Sequence, residues 1–590
     1  MILQALTRYY ETLREMDQIA PPYYASANIS FGIYLRENGE LMELMPLRSQ
    51  VTRGSKTIER PKALDAPVGE VKAVGIVSNF LWDSANYLLG LDTKGNAKRT
   101  LECFEAAKDL HLHILDGLPS KTAKAICAYF RNWQPEDAAS HPAVLQYLPD
   151  LLAGCNLVFC GLEESYAFEE GEIRDAWENY CKETENPYRS QCLVTGLDNQ
   201  PIENTHPKVK GVPGGQAVGT SLVSFNGPAY ESYGHEERLG TGQGYNGPVS
   251  EYAAFAYTSA LNSLIADFDH RLSLNGDTVV CWAETGESMY QDLFGDLTNP
   301  RAKTEKDVSE TLRSIVNGRM VDLPNFRPET PFYVLCLSPN AARVSVRFFL
   351  RDTFGHIADH LCEHYRNLEI TMAPNEWPYL SLYWLLKETA PPGSKDDAAS
   401  PLLSGATMRA ILGGTPYPAM LYESILIRIR ADRVINRARA ATIKAYLIKN
   451  ISPTHPDYKE VLQVALNEQS ELKPYVLGRL FSLLEQAQES ANPGINTTIT
   501  DRFFDSACAT PKLAFPTLLK LNRHHLAKIE QRNYSVYLEK LITEIVGKLE
   551  AEDDPYPARL TLEEQGLFIL GYYHQKQARY TKKTESEKEN

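Results

Sequence analysis

The sequence lacks several features that define common classes of protein. No apolar run approaches the ~20 residues that a membrane-spanning helix needs, so we expect no membrane association. The N-terminal segment MILQALTRYYETLREMD has no basic region ahead of an apolar core, which argues against a signal peptide. Cysteine is scarce, with 10 in 590 residues and no disulfide-like spacing. These shortages predict a cytoplasmic globular protein with reduced thiols.

Signatures of several catalytic chemistries are also missing. The chain has no GxxxxGK[ST] phosphate loop and no GxSxG nucleophile elbow. His360-Leu-Cys-Glu-His364 matches the HxxEH pattern of some zinc hydrolases, but such a site needs a third ligand and a cleft. A polar helix face with three histidines is therefore the favoured interpretation, and we predict no bound metal or cofactor. A metal-dependent hydrolase or nuclease using His360, Glu363 and His364 stays open as the alternative.

Positive charge is the third shortage, with 60 Lys and Arg against 75 Asp and Glu and a net charge of −15. This balance argues against nucleic acid as a ligand, although binding depends on local patches rather than on the average. Two segments reverse the sign, residues 48–72 and residues 423–449. A continuous helix over Met420–Lys449 places Arg430, Arg433 and Arg437 on one face. This face is either a stripe that follows phosphates or an ordinary solvated surface.

The pattern of apolar residues predicts an α+β fold. Residues 1–390 read as a mixed domain with small sheets and long loops, including hairpins over residues 30–44 and 332–350. A Pro/Gly-rich break near residue 390 precedes a C-terminal α-helical bundle over residues 391–590. Helical spacing predicts helices over Ala123–Trp133, Tyr252–Phe268, Met420–Lys449, Tyr475–Ser490, Pro516–Glu530 and Tyr534–Leu549.

A glycine-rich stretch over residues 208–228 is the most informative part of the sequence. It begins with two lysines, contains four glycines between Gly211 and Gly219, and carries several side-chain donors. Glycine lets a backbone approach a ligand closely, and lysine suits an anionic one. Such a loop has the parts to enter a DNA minor groove, where polar groups read the bases and an inserted side chain separates base steps. A loop ordered only by tertiary contacts is the alternative.

Several long stretches give the chain a family resemblance. They are MILQALTRYYE at the start, SNFLWDSANYLLGLD (78–92), CLVTG…HPKVKGVPGGQAVGTSLVSFNGPAYESYG (192–234), GYNGPVSEYAAFAYTSALN (244–262), LSPNAARVSVRF (337–348), GTPYPAMLYESILIRIRAD (414–432), GRLFSLLEQAQE (478–489) and GLFILGYYHQKQARY (566–580). On these stretches, which cover both ends and the middle, the chain resembles the large subunit of the type I-C CRISPR Cascade surveillance complex.

The resemblance implies a non-catalytic role in antiviral defence. Such subunits recognise the PAM in double-stranded DNA, promote R-loop formation, hold the displaced strand and help recruit a helicase-nuclease in trans. The implied partners are the crRNA, target duplex DNA, the backbone and crRNA-processing subunits, and a small subunit. Guide pairing reads the sequence, while protein reads the PAM and shape. A purely structural ribonucleoprotein subunit is a further alternative.

The resemblance also directs the choice of candidate site residues. About 461–590 is expected to resemble the small subunit, which in this subtype can arise by internal translation of the same gene. Here it would start at Met420 or at a non-Met codon near Val461 or Val464, because no Met follows Met420. The DNA- and PAM-binding candidates are Lys72, Asn79, Lys208, Lys210, Gly214, Gly215, Gln216 and Asn226. The strand- and phosphate-binding candidates are Arg430, Arg433, Arg437, Lys520, Arg523 and Lys528.

Overall fold

The chain forms two compact units in a computed structural model. The first unit comprises residues 1–209 and 221–263, and the second comprises residues 210–220 and 264–590. The structure describes residues 1–53, 56–69, 75–93, 95–162, 165–225, 227–232, 243–299, 326–373, 376–391, 399–550 and 554–580.

The first unit mixes short strands with helices. Its helices are α1 Ile2–Glu15, α2 Ala85–Leu88, α3 Ala97–Leu115, α4 Lys121–Asn132, α5 Pro142–Leu145, α6 Leu148–Leu152, α7 Gly171–Glu183 and α8 Glu251–Ala266, the last of which belongs to this unit as far as residue 263. Its strands are β1 Tyr24–Ile29, β2 Phe31–Leu35, β3 Leu41–Pro46, β4 Arg48–Arg53, β5 Lys56–Pro67, β6 Trp82–Ser84, β7 Asn156–Phe159, β8 Arg189–Ser190 and β9 Gln200–Pro201. Short 3-10 turns lie at Pro135–Ser140, Ala167–Glu169, Pro228–Tyr230 and Gln243–Asn246.

Three small sheets organise these strands. One has the order β3-β2-β7-β6, with β2 parallel to β7 and the other pairs antiparallel. A second has the order β1-β5-β4, and β8 pairs with β9. The predicted hairpin over residues 30–44 is confirmed, because β2 and β3 pair across a turn in which Gly39 adopts φ +86°. Phe31 and Phe159 from paired strands lie in a core with Phe104 and Phe130 from α3 and α4.

The second unit begins with a sheet and continues as helices. Its strands are β10 Leu272–Leu274, β11 Asp277–Ala283, β12 Pro331–Asn340 and β13 Arg343–Thr353. Its helices are α9 Met289–Thr298, α10 Phe354–Leu368, α11 Leu382–Lys387, α12 Pro401–Leu412, α13 Ala419–Asp432, α14 Arg437–Tyr446, α15 Lys473–Ala491, α16 Ile499–Ala509, α17 Pro511–Lys528, α18 Arg532–Glu550 and α19 Leu562–Ala578. A π turn lies at Leu447–Ile451 and a 3-10 turn at Pro456–Glu460.

The sheet of this unit is antiparallel throughout, in the order β10-β11-β12-β13. The predicted hairpin over residues 332–350 is confirmed as β12 and β13. The chain reverses after Asn340, where Ala341 adopts φ +50°, so the turn comes later than the expected Ser338-Pro339-Asn340. One hydrophobic cluster runs from Leu274 in the sheet to Tyr573 in α19, so sheet and helices share a core.

The helices α15 and α19 lie in unusually close contact. A Cβ added to Gly478 would lie 1.9 Å from the Phe568 carbonyl oxygen, and one added to Gly571 would lie 2.1 Å from that of Tyr475. Only glycine permits two backbones to approach this closely. These contacts place the C-terminal helix of the described chain in the centre of the bundle, where its residues 565–575 are buried.

The α+β prediction is confirmed, with small sheets toward the N-terminus and helices toward the C-terminus. The predicted division at residue 390 borders the undescribed residues 392–398 and stays a prediction.

All ten cysteines are free, as expected. Within the described ranges, no helix combines the length and apolarity needed to cross a bilayer.

Two helix predictions are wrong in detail. The single helix expected over Met420–Lys449 is two helices, α13 and α14, because the chain leaves the helical conformation at Arg433 with φ +59°. The helix expected to begin at Pro516 begins at Pro511, where a missing N–H costs no helical hydrogen bond. Pro516 lies inside that helix.

Candidate nucleic-acid interface

The glycine-rich loop has buried anchors and an exposed tip. Val209 at its start and Val212 and Thr220 at either side of the tip are buried. Between these anchors, Pro213, Gly214, Gln216 and Ala217 are exposed. Val218 is 76% exposed. The loop therefore presents a small polar and apolar tip to solvent.

Glycine is required by the backbone geometry of this tip. Gly214 adopts φ +79°, a conformation that side-chain-bearing residues rarely adopt. A Cβ at Gly215 would lie 2.8 Å from Thr220 Cγ2. Two short turns follow each other, with the Gly215 N–H donating to the Val212 carbonyl at 3.0 Å and the Gly219 N–H to the Gln216 carbonyl at 2.9 Å. These features fix the shape of the tip without any ligand.

The two lysines at the start of the loop differ in their surroundings. Lys208, in the first unit, is half-buried, and its ammonium donates to Ser221 Oγ at 2.6 Å. Its carbonyl accepts a hydrogen bond from Asn262 Nδ2 at 3.2 Å, which ties the loop base to α8. Lys210, in the second unit, is exposed. Lys210 is therefore more accessible to solvent than Lys208.

The other DNA-binding candidates are not at the loop tip. Lys72 and Asn226 lie outside the described residues. Asn79 is buried in the first unit, where its backbone N–H donates to Asp83 Oδ2 at 2.9 Å. Its role in binding DNA stays a prediction, but burial leaves it little surface to offer a ligand.

The expected arginine stripe is not one helical face. Arg430 lies in α13, Arg433 follows that helix and Arg437 begins α14. Each guanidinium has partners within the second unit. Arg430 donates to Gln565 Oε1, Arg433 pairs with Asp505 at 2.5 Å, and Arg437 donates to the carbonyls of Trp377 and Pro378.

The break between α13 and α14 is built from capping groups and ion pairs. Asp432 accepts the Val434 N–H at 3.0 Å and pairs with both Arg428 and Arg439. Burial opposes ionisation of Asp432, but Arg439 and the other donors outweigh it and hold the pKa of this carboxyl below its usual value. Asn436 caps α14 by accepting the Arg439 N–H at 2.9 Å. Most of the cations in this segment therefore already have acceptors within the protein.

The later basic helix, α17, is different. It carries Lys512, Lys520, Arg523 and Lys528 and no acidic residue. Lys520 and Arg523 are exposed and have no ion-pair partner among the residues that the structure describes, while exposed Lys528 donates to Asn492 Oδ1 at 2.5 Å. Burial lowers the pKa of His525, and the nearby His524 and Lys528 lower it further. Three of the predicted strand-binding residues thus share one exposed basic helix.

Sequence reasoning missed the residues next to this helix. Tyr534 and Tyr537 in α18 stack with ring centroids 6.2 Å apart, and Arg532 beside them is exposed. The signal was present in the sequence, because aromatic residues three apart lie on one helix face and this pair directly follows the basic helix.

The HxxEH residues lie on α10 and each has an internal partner. His360 donates from Nδ1 to the Leu412 carbonyl at 2.8 Å, Glu363 pairs with Lys449 at 2.9 Å, and His364 Nδ1 lies 2.7 Å from the Tyr417 hydroxyl. Burial, assisted by Lys449, lowers the pKa of His364 to about 3. Within the described ranges, no three His, Cys, Asp or Glu side chains are grouped to hold a metal.

A family model described as "CRISPR-associated protein (Cas_Csd1)" matches residues 6–580 of this sequence. The chain belongs to the Csd1 family of CRISPR-associated proteins. Membership ties the chain to CRISPR antiviral defence and to partnership within a CRISPR complex. No curated protein matches the sequence.

Proposed function

We propose that this Csd1-family chain is the non-catalytic large subunit of a type I-C Cascade surveillance complex. It recognises the PAM in duplex DNA, promotes R-loop formation, holds the displaced strand and helps recruit the helicase-nuclease. The exposed tip of the glycine-rich loop is the observation that carries this proposal. Family membership supports the CRISPR context, and the resemblance of the sequence supplies the type and the partners.

The loop suits minor-groove recognition of a short DNA motif. Its tip is narrow, because the chain reverses through glycines, and it is ordered by its own hydrogen bonds. Gln216 offers one donor and one acceptor group, and Lys210 offers a cation for phosphate. Val218 adds an exposed apolar side chain to the tip. A preformed tip loses little conformational entropy when it binds.

The basic helix α17 suits the displaced strand rather than the PAM. A single strand is held mainly through its phosphates, which requires exposed cations without competing carboxylates. Lys520 and Arg523 meet this requirement within the described part of the chain. Arg430, Arg433 and Arg437 meet it less well, because each already has internal acceptors.

The test is a gel shift with the crRNA complex, assembled with and without this chain, on target duplexes that differ only in the PAM. We expect PAM-dependent binding only with the chain present. Gln216→Ala combined with Lys210→Ala is expected to weaken binding to the PAM-bearing duplex at least tenfold, because each lost base or phosphate contact costs about 1 kcal/mol or more. Lys182→Ala, at an exposed lysine of α7, is the matched control.

The outcomes separate the candidate roles. If the chain joins the complex but binding of the target duplex does not depend on the PAM, the chain has an architectural role. If PAM dependence survives the loop substitutions, another segment reads the PAM. If purified chain cleaves nucleic acid in a chelator-sensitive manner that His364→Ala abolishes, the hydrolase alternative is correct.

A further inference from the structure

The tyrosines at the start of α18 form a fixed, solvent-facing aromatic surface. Tyr537 is 54% exposed and stacks on Tyr534 with an angle of 26° between the rings. The Tyr534 hydroxyl accepts a hydrogen bond from Gln486 Nε2 at 2.6 Å, which anchors the inner ring to α15. The outer ring therefore packs against a ring that is anchored by a hydrogen bond.

The connection between α17 and α18 holds this aromatic surface next to the basic helix. Ser535 Oγ donates to the Leu526 carbonyl at 2.8 Å, and the Tyr534 N–H donates to the Gln531 carbonyl at 3.0 Å. A shallow depression here is lined by Gln531, Arg532, Asn533, Tyr534 and Tyr537. Polar and aromatic groups thus line the same concave surface.

The charges around the rings favour an anionic ligand. Arg532 lies in the depression, and Lys540 lies one helical turn beyond Tyr537. Arg532 and Lys540 are exposed and form no ion pair with any residue that the structure describes. The nearby acidic residues Glu530 and Glu539 only partly offset these cations and those of α17.

We propose that Tyr537, backed by Tyr534, is a stacking platform for a base of single-stranded DNA whose phosphates lie along α17. This proposal rests on the displaced-strand part of the proposed function and names the group that holds the bases. An exposed ring face stacks on any unpaired base, whereas the bases of a duplex are already stacked on each other. The platform therefore binds strands without sequence preference and discriminates against duplex.

The experiment uses the full chain and fluorescently labelled dT30, with binding measured by anisotropy at low salt. Stacking on an aromatic ring contributes about 1–3 kcal/mol per base, so Tyr537→Leu is expected to weaken binding about tenfold. Tyr537→Phe keeps the ring and is expected to bind as the natural chain does. Tyr383→Leu, at a tyrosine that is 57% exposed elsewhere in the second unit, is the matched control.

An abasic strand of the same length separates stacking from phosphate binding. We expect Tyr537→Leu to have no effect on the abasic strand, because that strand offers no base to the ring. Lys520→Ala with Arg523→Ala is expected to weaken binding of both strands.

The outcomes separate the platform from the strand-binding role of the basic helix. If the α17 substitutions weaken binding and Tyr537→Leu does not, the platform is wrong and the basic helix stands. If Tyr537→Leu weakens both strands equally, the effect is not stacking and the platform is also wrong. If neither set of substitutions changes binding, both proposals fail. If Tyr537→Leu leaves strand binding intact but prevents assembly with the crRNA complex, the rings form a protein contact instead.

Discussion

Glu485 is a buried carboxylate whose oxygens are almost fully hydrogen-bonded. Thr498 and Thr500 donate to it at 2.9 and 2.5 Å, and Tyr572 donates at 2.6 Å. Lys576 pairs with it at 3.3 Å. Burial raises the pKa of Glu485, but Lys576 and the hydroxyl donors outweigh this effect and lower it below the usual value. The residue joins α15, α16 and α19 through a single side chain.

Truncation of Glu485 is expected to destabilise the second unit. Glu485→Ala leaves three hydroxyls without their acceptor and Lys576 without its carboxylate partner, so we expect a loss of about 3–5 kcal/mol in the free energy of unfolding. Because the folded pKa is lowered, the contribution of the charged group is present at neutral pH and is lost as the pH falls through that pKa. Urea denaturation at pH 7 and near pH 4 measures both effects.

Two further variants make this prediction specific. Glu485→Gln keeps the shape of the side chain and loses its charge. The difference in unfolding free energy between this variant and the natural chain is therefore expected to become smaller as the pH falls toward 4. Glu471→Ala, at an exposed glutamate just before α15, is expected to change stability by less than about 0.5 kcal/mol. Equal effects of Glu485→Ala and Glu471→Ala contradict the prediction.

At the scale of elements, the break between α13 and α14 is formed by one residue in the left-handed conformation. Arg433 ends α13 with φ +59° and its N–H donates to the Ile429 carbonyl at 2.9 Å. Glycine adopts this conformation without strain, whereas an ordinary side chain costs about 1 kcal/mol. In the natural chain Arg433 also forms an ion pair with Asp505.

Paired substitutions at Arg433 test this description of the break. Both Arg433→Ala and Arg433→Gly lose the ion pair, but only alanine retains the strain, so the glycine variant is expected to be about 1 kcal/mol more stable. Arg409, exposed within α12, is the matched control. At Arg409 the order of stability is expected to reverse, so that the Arg409→Gly variant is about 1 kcal/mol less stable than the Arg409→Ala variant. Chemical denaturation of the four variants gives both differences, and the same order at both positions contradicts the prediction.

Elements with strong local signals were predictable from the sequence. The hairpin β2-β3 follows from alternating apolar residues around Gly39, and α4 and α15 follow from apolar spacing. The break at Arg433 was only weakly indicated by Asp432 and Asn436, which cap the chain there. The spacing of apolar residues, from which the helix was predicted, does not reveal capping residues. The partners of Arg437 were not predictable, since Trp377 and Pro378 lie about sixty positions away.

The candidate site was predictable to a similar degree. The glycines of the loop are accounted for by positive φ values and close contacts, and exposed Lys520 and Arg523 remain on one helix. Burial of Asn79 and the bond from Lys208 to Ser221 depend on tertiary packing, which residue type does not reveal. Binding by all of these residues stays a prediction.

At the scale of the whole molecule, net charge and local charge have opposite signs. The chain carries −15 overall, whereas α17 carries four Lys and Arg residues and no Asp or Glu. The surrounding field repels a polyanion at long range, while the helix attracts it at short range. The affinity for a single strand therefore reflects the difference between the long-range repulsion and the short-range attraction. Salt screens both of these interactions.

This difference is measurable as the salt dependence of strand binding. Each phosphate contact on a single strand contributes about 0.7 to the slope of log K against log salt concentration. Lys520→Ala with Arg523→Ala is therefore expected to reduce the slope by about 1.4. Titrations of dT30 between 50 and 200 mM salt measure it, and Lys182→Ala with Lys459→Ala is the control pair, because both lysines are exposed outside α17. An unchanged slope shows that these cations do not contact the strand.

The two compact units interleave along the chain, since residues 210–220 belong to the second unit although both flanking segments belong to the first. Dividing the chain between residues 263 and 264 therefore yields an N-terminal fragment that contains the glycine-rich tip without the rest of its unit. The C-terminal fragment contains the rest of that unit without the tip. Neither fragment therefore contains the whole loop together with both units to which its residues belong. Dissection of this protein by truncation confuses loss of the loop with loss of a unit, whereas substitution within 213–218 changes the tip alone.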